Sequence, residues 1–205
     1  LLRQVGVDDS ALVLVGGSTH PGEESLLAQA VSRLRVRFPK LFLVLVPRHH
    51  ERGGEVGREL EALGVRFVYR SEVRPGYQRN AGEVECLLVN TTGELRFFYE
   101  RADVVFVGKS LTVGGGQNPI EPAALGKAVV FGPRMENFPQ VVPQFLARGG
   151  AVCVDDAPAL EQTLEALLAS PERRAELGRI AREVVRSNLG GLEKTVEMIL
   201  AGIPK

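Results

Sequence analysis

A glycine-rich loop at positions 114–122, with the sequence GGGQNPIEP, has the residue types and the spacing to bind an anion. Glycine has no Cβ atom, so the backbone N–H groups of Gly115 and Gly116 can approach a ligand closely. Asn118 and Glu121 have the spacing of a capping box, which predicts that a helix begins here. A helix start carries about half a positive charge, which attracts anions. The loop is therefore typical both of a phosphate cradle and of a simply capped helix.

Four further segments place polar residues directly after apolar runs. The guanidinium group of Arg48 presents a planar fork of donors that suits a carboxylate or a phosphate. Backbone N–H groups near Gly93 suit a nucleobase edge or a sugar, and Lys109 adds a cation next to the glycine-rich loop. Together with that loop, these segments give the candidate ligand-binding residues Ser18, Thr19, Arg48, Gly93, Glu94, Leu95, Lys109, Ser110, Gly115, Gly116, Gln117, Asn118 and Glu121.

Helix capping explains part of the same pattern without any ligand. Glu23 and Glu24 follow a hydroxyl-bearing turn, which is also what the start of a helix favours. Thr92 and Asn137 are each predicted to cap the helix that follows them. Arg52 fits a solvated loop of mixed charge. At these positions the sequence leaves both the ligand and the capping interpretation open.

Seven short, continuously apolar runs alternate with amphipathic stretches up to position 154. Runs of this kind are typical of strands that are covered on both faces. Their alternation with helices predicts an α/β domain, a Rossmann-like parallel sheet with helices on both faces. Such sheets bind ligands beyond the carboxyl ends of their strands, where the polar segments lie. The predicted strands are residues 12–15, 42–46, 66–69, 86–89, 103–107, 128–131 and 151–154.

After the last predicted strand the pattern becomes helical throughout. Residues 156–205 form a helical C-terminal segment, with a predicted break at Gly190 and Gly191 and a last apolar stripe within residues 192–200. Residues 1–205 are therefore predicted to form a single domain.

Composition narrows the class of protein. The 25 Lys and Arg residues balance the 25 Asp and Glu residues, so no field of one sign favours nucleic acid as a partner. No apolar stretch approaches the roughly 20 residues that span a bilayer, and a soluble domain is expected. Cys86 and Cys153 lie in apolar runs, which predicts reduced core thiols and a cytoplasmic setting. The chain starts at Leu1 without a methionine, which suggests a fragment of a longer protein.

Six blocks of the sequence together resemble the C-terminal half of Kdo transferases, the glycosyltransferases that add 3-deoxy-D-manno-octulosonic acid (Kdo) in lipopolysaccharide biosynthesis. The blocks stand in the order of that family and cover most of positions 16–138. They are residues 17–24 (GSTHPGEE), 46–49 (VPRH), 92–95 (TGEL), 102–108 (ADVVFVG), 115–122 (GGQNPIEP) and 132–138 (GPRMENF).

The resemblance implies a GT-B glycosyltransferase that moves Kdo from CMP-Kdo to the lipid A precursor. That enzyme would work at the cytoplasmic face of the inner membrane, with peripheral membrane association of the full-length protein. In that architecture the present chain holds the donor nucleotide sugar. An N-terminal domain that is absent from this chain would hold the acceptor and the general base. CMP-Kdo is then the donor substrate, no cofactor or metal is expected, and the chain alone is expected to bind and not to catalyse.

Carried over residue by residue, the resemblance implies contacts between this chain and the donor. Ser18 and Thr19 would line the donor pocket, and Arg48 would contact the CMP moiety or the sugar carboxylate. Residues 93–95 would border the nucleotide, and the backbone of residues 115–118 would hold the phosphate.

Glu121 would accept hydrogen bonds from the ribose hydroxyls, a role that suits a carboxylate because it is an acceptor for both members of a diol. Two positions depart from the family pattern. Gln117 stands where many members have histidine, so a proton-linked role at that position is in doubt. Lys109 stands where glycine is usual, and it is expected either to help neutralise the phosphate or to be solvated.

Two other interpretations remain open from the sequence. A GT-B domain for a UDP-sugar or another nucleotide sugar fits the same loops, because a cradle for phosphate and ribose is largely blind to the base. A nonenzymatic nucleotide-binding module would keep these segments only as helix caps. A dehydrogenase is disfavoured because the first predicted strand is not followed by a G-x-G-x-x-G fingerprint.

Overall fold

The computed structural model describes residues 1–201, with side chains up to residue 188, and it centres on one seven-stranded parallel sheet. The strands are β1 (Val13–Thr19), β2 (Phe42–Pro47), β3 (Phe67–Tyr69), β4 (Cys86–Leu88), β5 (Val104–Val107), β6 (Ala128–Phe131) and β7 (Val152–Cys153). Their order in the sheet is β3-β4-β2-β1-β5-β6-β7. β1 therefore lies in the centre, with β2, β4 and β3 on one side and β5, β6 and β7 on the other. Sheets of this kind bind ligands at the switch point, which here lies between β1 and β5.

Helices cover both faces of the sheet. They are α1 (Glu23–Leu34), α2 (Gly53–Ala62), α3 (Leu95–Arg101), α4 (Ile120–Ala124), α5 (Val142–Arg148), α6 (Ala157–Ala169) and α7 (Pro171–Ala201). Successive side chains of a strand point to opposite faces, so Val15 joins one core with α3, α5 and α7, while Leu14 joins the other with α1, α2 and α6. α7 approaches the turn after α4 so closely that a Cβ atom on Gly178 would lie 1.9 Å from the Gly126 carbonyl oxygen.

Most predicted elements are confirmed. All seven predicted strands are present and parallel, and helices lie on both faces. The predicted break at Gly190 and Gly191 is wrong, since α7 is one helix. A glycine costs a helix about 1 kcal/mol but keeps its backbone N–H, so the helix continues through the pair. The apolar stripe predicted within residues 192–200 concerns side chains outside the described residues.

The two cysteines carry free thiols, as predicted. Cys86 is fully buried in β4, and burial raises the pKa of its thiol far above the usual range. Cys153 is only partly buried. Within residues 1–201 no helix is long and apolar enough to cross a membrane. The described side chains also contain no group of three or more His, Cys, Asp or Glu residues that is arranged to hold a metal ion.

Candidate functional site

The carboxyl ends of β1 and β5, two neighbouring strands in the middle of the sheet, form the centre of the candidate site. β1 extends beyond its predicted end to Thr19, and its register against β2 shifts between Gly17 and Thr19. Ser18 at this irregularity has a left-handed φ of 52°. A Cβ atom on Gly108, directly after β5, would lie 2.4 Å from the Ser18 carbonyl oxygen. Only glycine permits this approach, so the two strand ends are held against each other.

A buried carboxylate, Glu23 at the start of α1, holds the loop that follows β5. Glu23 is 1% exposed and accepts backbone N–H groups from His20 (2.9 Å), Lys109 (2.8 Å), Ser110 (2.9 Å) and Leu111 (3.0 Å). Three consecutive N–H groups form a concavity of the kind that binds anions, and here the protein's own carboxylate fills it. The acidic first turn of α1 therefore begins this helix and also forms a clamp that holds the loops after β1 and β5 together.

Lys109 and Ser110 lie in this clamped loop with different surroundings. The buried Ser110 hydroxyl donates to the Val107 carbonyl oxygen (2.6 Å) and accepts from the Gly132 N–H (2.8 Å), so it is fully used within the protein. Lys109 has a left-handed φ of 57°, which costs a residue with a side chain about 1–2 kcal/mol. A Cβ atom on Gly115 would lie 3.3 Å from Lys109 Nζ. The Lys109 side chain thus places a cation over the glycine-rich loop.

Three consecutive backbone N–H groups of the glycine-rich loop, those of residues 115–117, are engaged within the protein. Gly115 donates to the carboxylate of Glu136 (2.6 Å). Gly116 (2.7 Å) and Gln117 (3.0 Å) donate to carbonyl oxygens of the loop that follows β5. Three of the four backbone N–H groups of the predicted phosphate cradle at residues 115–118 are therefore already used by the protein in this conformation. Glu136 is exposed and occupies the acceptor position that a phosphate oxygen would take at Gly115.

Two predicted helix caps are wrong. Asn137 does not cap α5, which begins further along the chain; its amide donates to the Gly116 carbonyl oxygen (3.3 Å) and ties the loop after β6 to the glycine-rich loop. Thr92 is exposed, and α3 has Glu94 as its N-cap residue without a side-chain cap. These side chains face neighbouring loops or solvent, which local spacing cannot reveal.

The capping box predicted at the start of α4 is wrong, because α4 has Pro119 as its N-cap residue and no side-chain cap. The Asn118 side chain accepts a hydrogen bond from the Ile120 N–H (2.9 Å). The partly buried Glu121 carboxylate makes no hydrogen bond or ion pair with the side chains and backbone that the structure describes. Burial, with a smaller contribution from the charge of Glu121, raises the pKa of the adjacent Tyr99. Glu121 therefore keeps its acceptor positions open to a ligand.

Five predicted site residues, Ser18, Arg48, Gly93, Glu94 and Leu95, line one cavity of about 140 Å³ at the ends of β1, β2 and β4. Arg48 is exposed, and among the described residues its guanidinium group has no hydrogen-bond or ion-pair partner. The Glu94 carboxylate is engaged by the guanidinium group of Arg70 (2.9 Å) and by the Thr91 hydroxyl. The same cavity is also lined by Val46, Pro47, His50, Thr91 and Thr92.

Thr19 lies beneath the site and not at its surface. It is fully buried, and its hydroxyl oxygen has no hydrogen-bond partner among the residues that the structure describes. The neighbouring Glu24 carboxylate is also buried and pairs with Arg52 (2.7 Å). Burial raises the pKa of Glu24, and the hydrogen bond from Arg52 opposes that rise. Arg52, expected in a solvated loop, is only 15% exposed and fixes the short 3₁₀ helix His50–Arg52 that follows Arg48.

His20, which was not among the predicted site residues, lies between three loops of the site. Its Nε2 atom is 3.4 Å from the amide nitrogen of Gln117 in the glycine-rich loop. Its ring also meets His49, after β2, edge-on, with 6.0 Å between the ring centroids. Burial lowers the pKa of His20. A lone histidine after a strand is a weak signal in a sequence, and only the fold shows its neighbours.

The same fold occurs in solved glycosyltransferase domains. The C-terminal domain of a group 1 glycosyltransferase (LpcC) from Francisella tularensis matches with a TM-score of 0.60 and 13% identity, over 90% of this chain and 88% of that chain. At this identity the likeness concerns the fold alone. The seven-stranded parallel sheet with helices on both faces is the fold of GT-B glycosyltransferase domains.

Two further comparisons identify the family. The 3-deoxy-D-manno-octulosonic acid transferase of Haemophilus influenzae is 34% identical over 188 residues, 91% of this chain and 43% of that protein. The solved C-terminal CMP-Kdo binding domain of WaaA from Acinetobacter baumannii is 32% identical, with a TM-score of 0.80, over 86% of this chain and 90% of that chain. The chain belongs to the Kdo transferase family. It spans less than half the length of the Haemophilus relative, and no protein-family model matches it.

Proposed function

We propose that the chain is the donor-binding domain of a glycosyltransferase that transfers Kdo from CMP-Kdo to the lipid A precursor. The observation that carries the proposal is the cavity where the guanidinium group of Arg48, which has no partner in the described part of the chain, lies beside the backbone of Gly93. Further support comes from the relatives, since the Haemophilus protein is named for Kdo transfer and the solved Acinetobacter domain for CMP-Kdo binding.

Side chains supply most of the groups that bind the donor in this proposal, because the backbone N–H groups of residues 115–117 are engaged within the protein. Arg48 pairs with the phosphate or the sugar carboxylate through its planar fork. Glu121, whose carboxylate is not used within the described protein, accepts hydrogen bonds from the two ribose hydroxyls. Lys109 adds a cation above the glycine-rich loop. The donor therefore meets two cationic groups and one acceptor beyond the ends of β2 and β5, on either side of β1.

In the transfer, the bond between the anomeric carbon of Kdo and the phosphate oxygen of CMP breaks, and an acceptor hydroxyl oxygen bonds to that carbon. Negative charge develops on the departing CMP, and Arg48 and Lys109 stabilise it. An N-terminal domain outside this chain binds the acceptor and supplies the base that takes the hydroxyl proton. The chain alone binds and does not catalyse, and the complete enzyme acts at the cytoplasmic face of the inner membrane without metal or cofactor.

Isothermal titration calorimetry of the chain with CMP, UMP, ADP and 2′-deoxy-CMP, at one salt concentration, tests the proposal. CMP is expected to bind most tightly, and 2′-deoxy-CMP more weakly because it lacks one of the hydroxyls that Glu121 accepts. Preference for UMP or ADP would keep a GT-B donor site and refute the Kdo assignment. Absence of binding for all four nucleotides would refute a donor site that this domain forms alone.

Site variants, compared with control variants of the same kind, test which side chains bind CMP. Arg48→Gln is expected to weaken CMP binding about 10- to 100-fold, the effect of one charge-assisted hydrogen bond of about 1.5–3 kcal/mol. Glu121→Gln is expected to weaken CMP and to remove its advantage over 2′-deoxy-CMP. Arg58→Gln and Glu61→Gln, at exposed positions of α2, serve as controls with wild-type affinity. CMP binding that survives unchanged in both site variants would contradict the assigned roles.

A further inference from the structure

His20 occupies the junction of three loops that the proposed donor site uses. It follows β1, it faces Gln117 in the glycine-rich loop at 3.4 Å between nitrogen atoms, and it meets His49 after β2. Arg48, the proposed anion ligand, is the direct neighbour of His49 in the chain. Lys109, the proposed cation above the glycine-rich loop, also acts on the His20 ring, so an anion held at that loop would lie close to the ring.

Charged and titratable groups from several neighbouring elements face His20. Lys109, His49 and Arg52 disfavour its protonation, and Glu23 favours it. Burial is the largest influence and lowers the pKa of His20 further below its ordinary value. The Glu23 carboxylate is already shared among four backbone N–H groups. In the unliganded protein the ring is therefore neutral near pH 7, within a mainly cationic group.

We propose that His20 is part of the donor-binding site and takes up a proton when the anionic donor nucleotide binds. The inference rests on the proposed function, because the negative charge comes from the nucleotide. A phosphate placed between Lys109 and His20 adds negative charge beside the ring, which makes the protonated ring the favoured form. Both ring nitrogens of the imidazolium then donate hydrogen bonds, whereas the neutral ring donates only one.

Gln117 fits both protonation states of His20. A neutral Nε2 atom accepts a hydrogen bond from the Gln117 amide nitrogen, and a protonated Nε2 atom donates to the amide oxygen. A half-turn of the amide exchanges these two groups without moving the loop. Gln117 cannot itself titrate, so of this pair only His20 can take up a proton.

Proton uptake upon binding is directly measurable. Calorimetry of CMP binding at pH 7 in two buffers of different ionisation enthalpy gives the number of protons that each CMP takes up. We expect net uptake in the wild type and clearly less in His20→Gln. Glu61→Gln, which removes an exposed titratable group on α2, should behave as the wild type. Since CMP itself titrates near pH 6, the comparison between variants isolates the contribution of the protein.

The pH dependence of affinity gives a second measurement. CMP affinity of the wild type should fall more steeply between pH 6 and 8 than that of His20→Gln, by up to about tenfold per pH unit for one linked proton. An NMR titration of the wild-type histidine signals should show the His20 pKa rising when CMP is added, which needs no variant to fold. CMP binding with equal proton uptake in both proteins and an unmoved His20 titration would overturn the inference and leave the proposed function intact. Failure of the wild type to bind CMP would overturn both.

Discussion

Replacement of Lys109 by glycine is expected to stabilise the fold while it weakens nucleotide binding. Lys109 has a φ of 57°, and its backbone is held there by hydrogen bonds to Glu23 and from the Gly116 N–H. Glycine relieves about 1–2 kcal/mol of left-handed strain, and the greater freedom of glycine in the unfolded chain offsets about 0.5–1 kcal/mol of this gain. The net gain of about 0.5–1 kcal/mol corresponds to a rise in Tm of about 1–4 °C for a domain of this size.

The same substitution, Lys109→Gly, is expected to weaken CMP binding. The ammonium group that Lys109 places over the glycine-rich loop is lost, and CMP affinity should fall on the order of tenfold, because this charge is partly exposed and screened. Lys109→Ala removes the same ammonium group but keeps the strained backbone, so it should bind as weakly as Lys109→Gly without the rise in Tm. Equal Tm values for the two variants would refute the strain argument. Wild-type affinity in both would refute the role of the cation.

Two further predictions concern the loops around this residue. Glu136→Ala should bind CMP several-fold more tightly, because it releases the Gly115 N–H for the phosphate and removes a carboxylate that stays ionised through its low pKa; unchanged affinity in calorimetry would contradict this competition. Glu23→Gln should lower the free energy of unfolding in urea by about 3 kcal/mol or more, since it replaces one of two buried acceptor oxygens with a donor. A loss below 1 kcal/mol would show that the clamp is not a major support of the loop.

The sequence predicts the sheet well because its strands are buried on both faces. Each strand is then a continuous apolar run, which composition alone reveals. The position of β4 between β2 and β3 leaves no such mark, since it depends on pairing between distant segments. The break predicted at Gly190 and Gly191 fails for a related reason, because local propensity does not decide whether a long helix continues.

The candidate site also contains features that the sequence predicts and features that it does not. Ser18, Arg48 and Gly93 were predicted from the rule that parallel strands end on one side of a sheet, and they line one cavity. The roles of Glu23 and Ser110 were not predictable from spacing, because most of their hydrogen bonds join residues that lie 22 to 88 positions apart. The glycine-rich loop has the composition of an anion cradle, but its partner Glu136 is supplied by the loop after β6.

The close contact between α7 and the turn after α4 gives the domain a mechanical link. Gly178 leaves no room against Gly126, and Arg182 on α7 donates to the Leu125 carbonyl oxygen in the same turn (2.7 Å). We therefore expect the middle of α7 and the end of α4 to move together. Because α4 carries Glu121, a force that shifts this long helix also shifts the acceptor proposed for the ribose. Nucleotide affinity is therefore expected to depend on the position of α7, although the contact itself lies away from the proposed ligand.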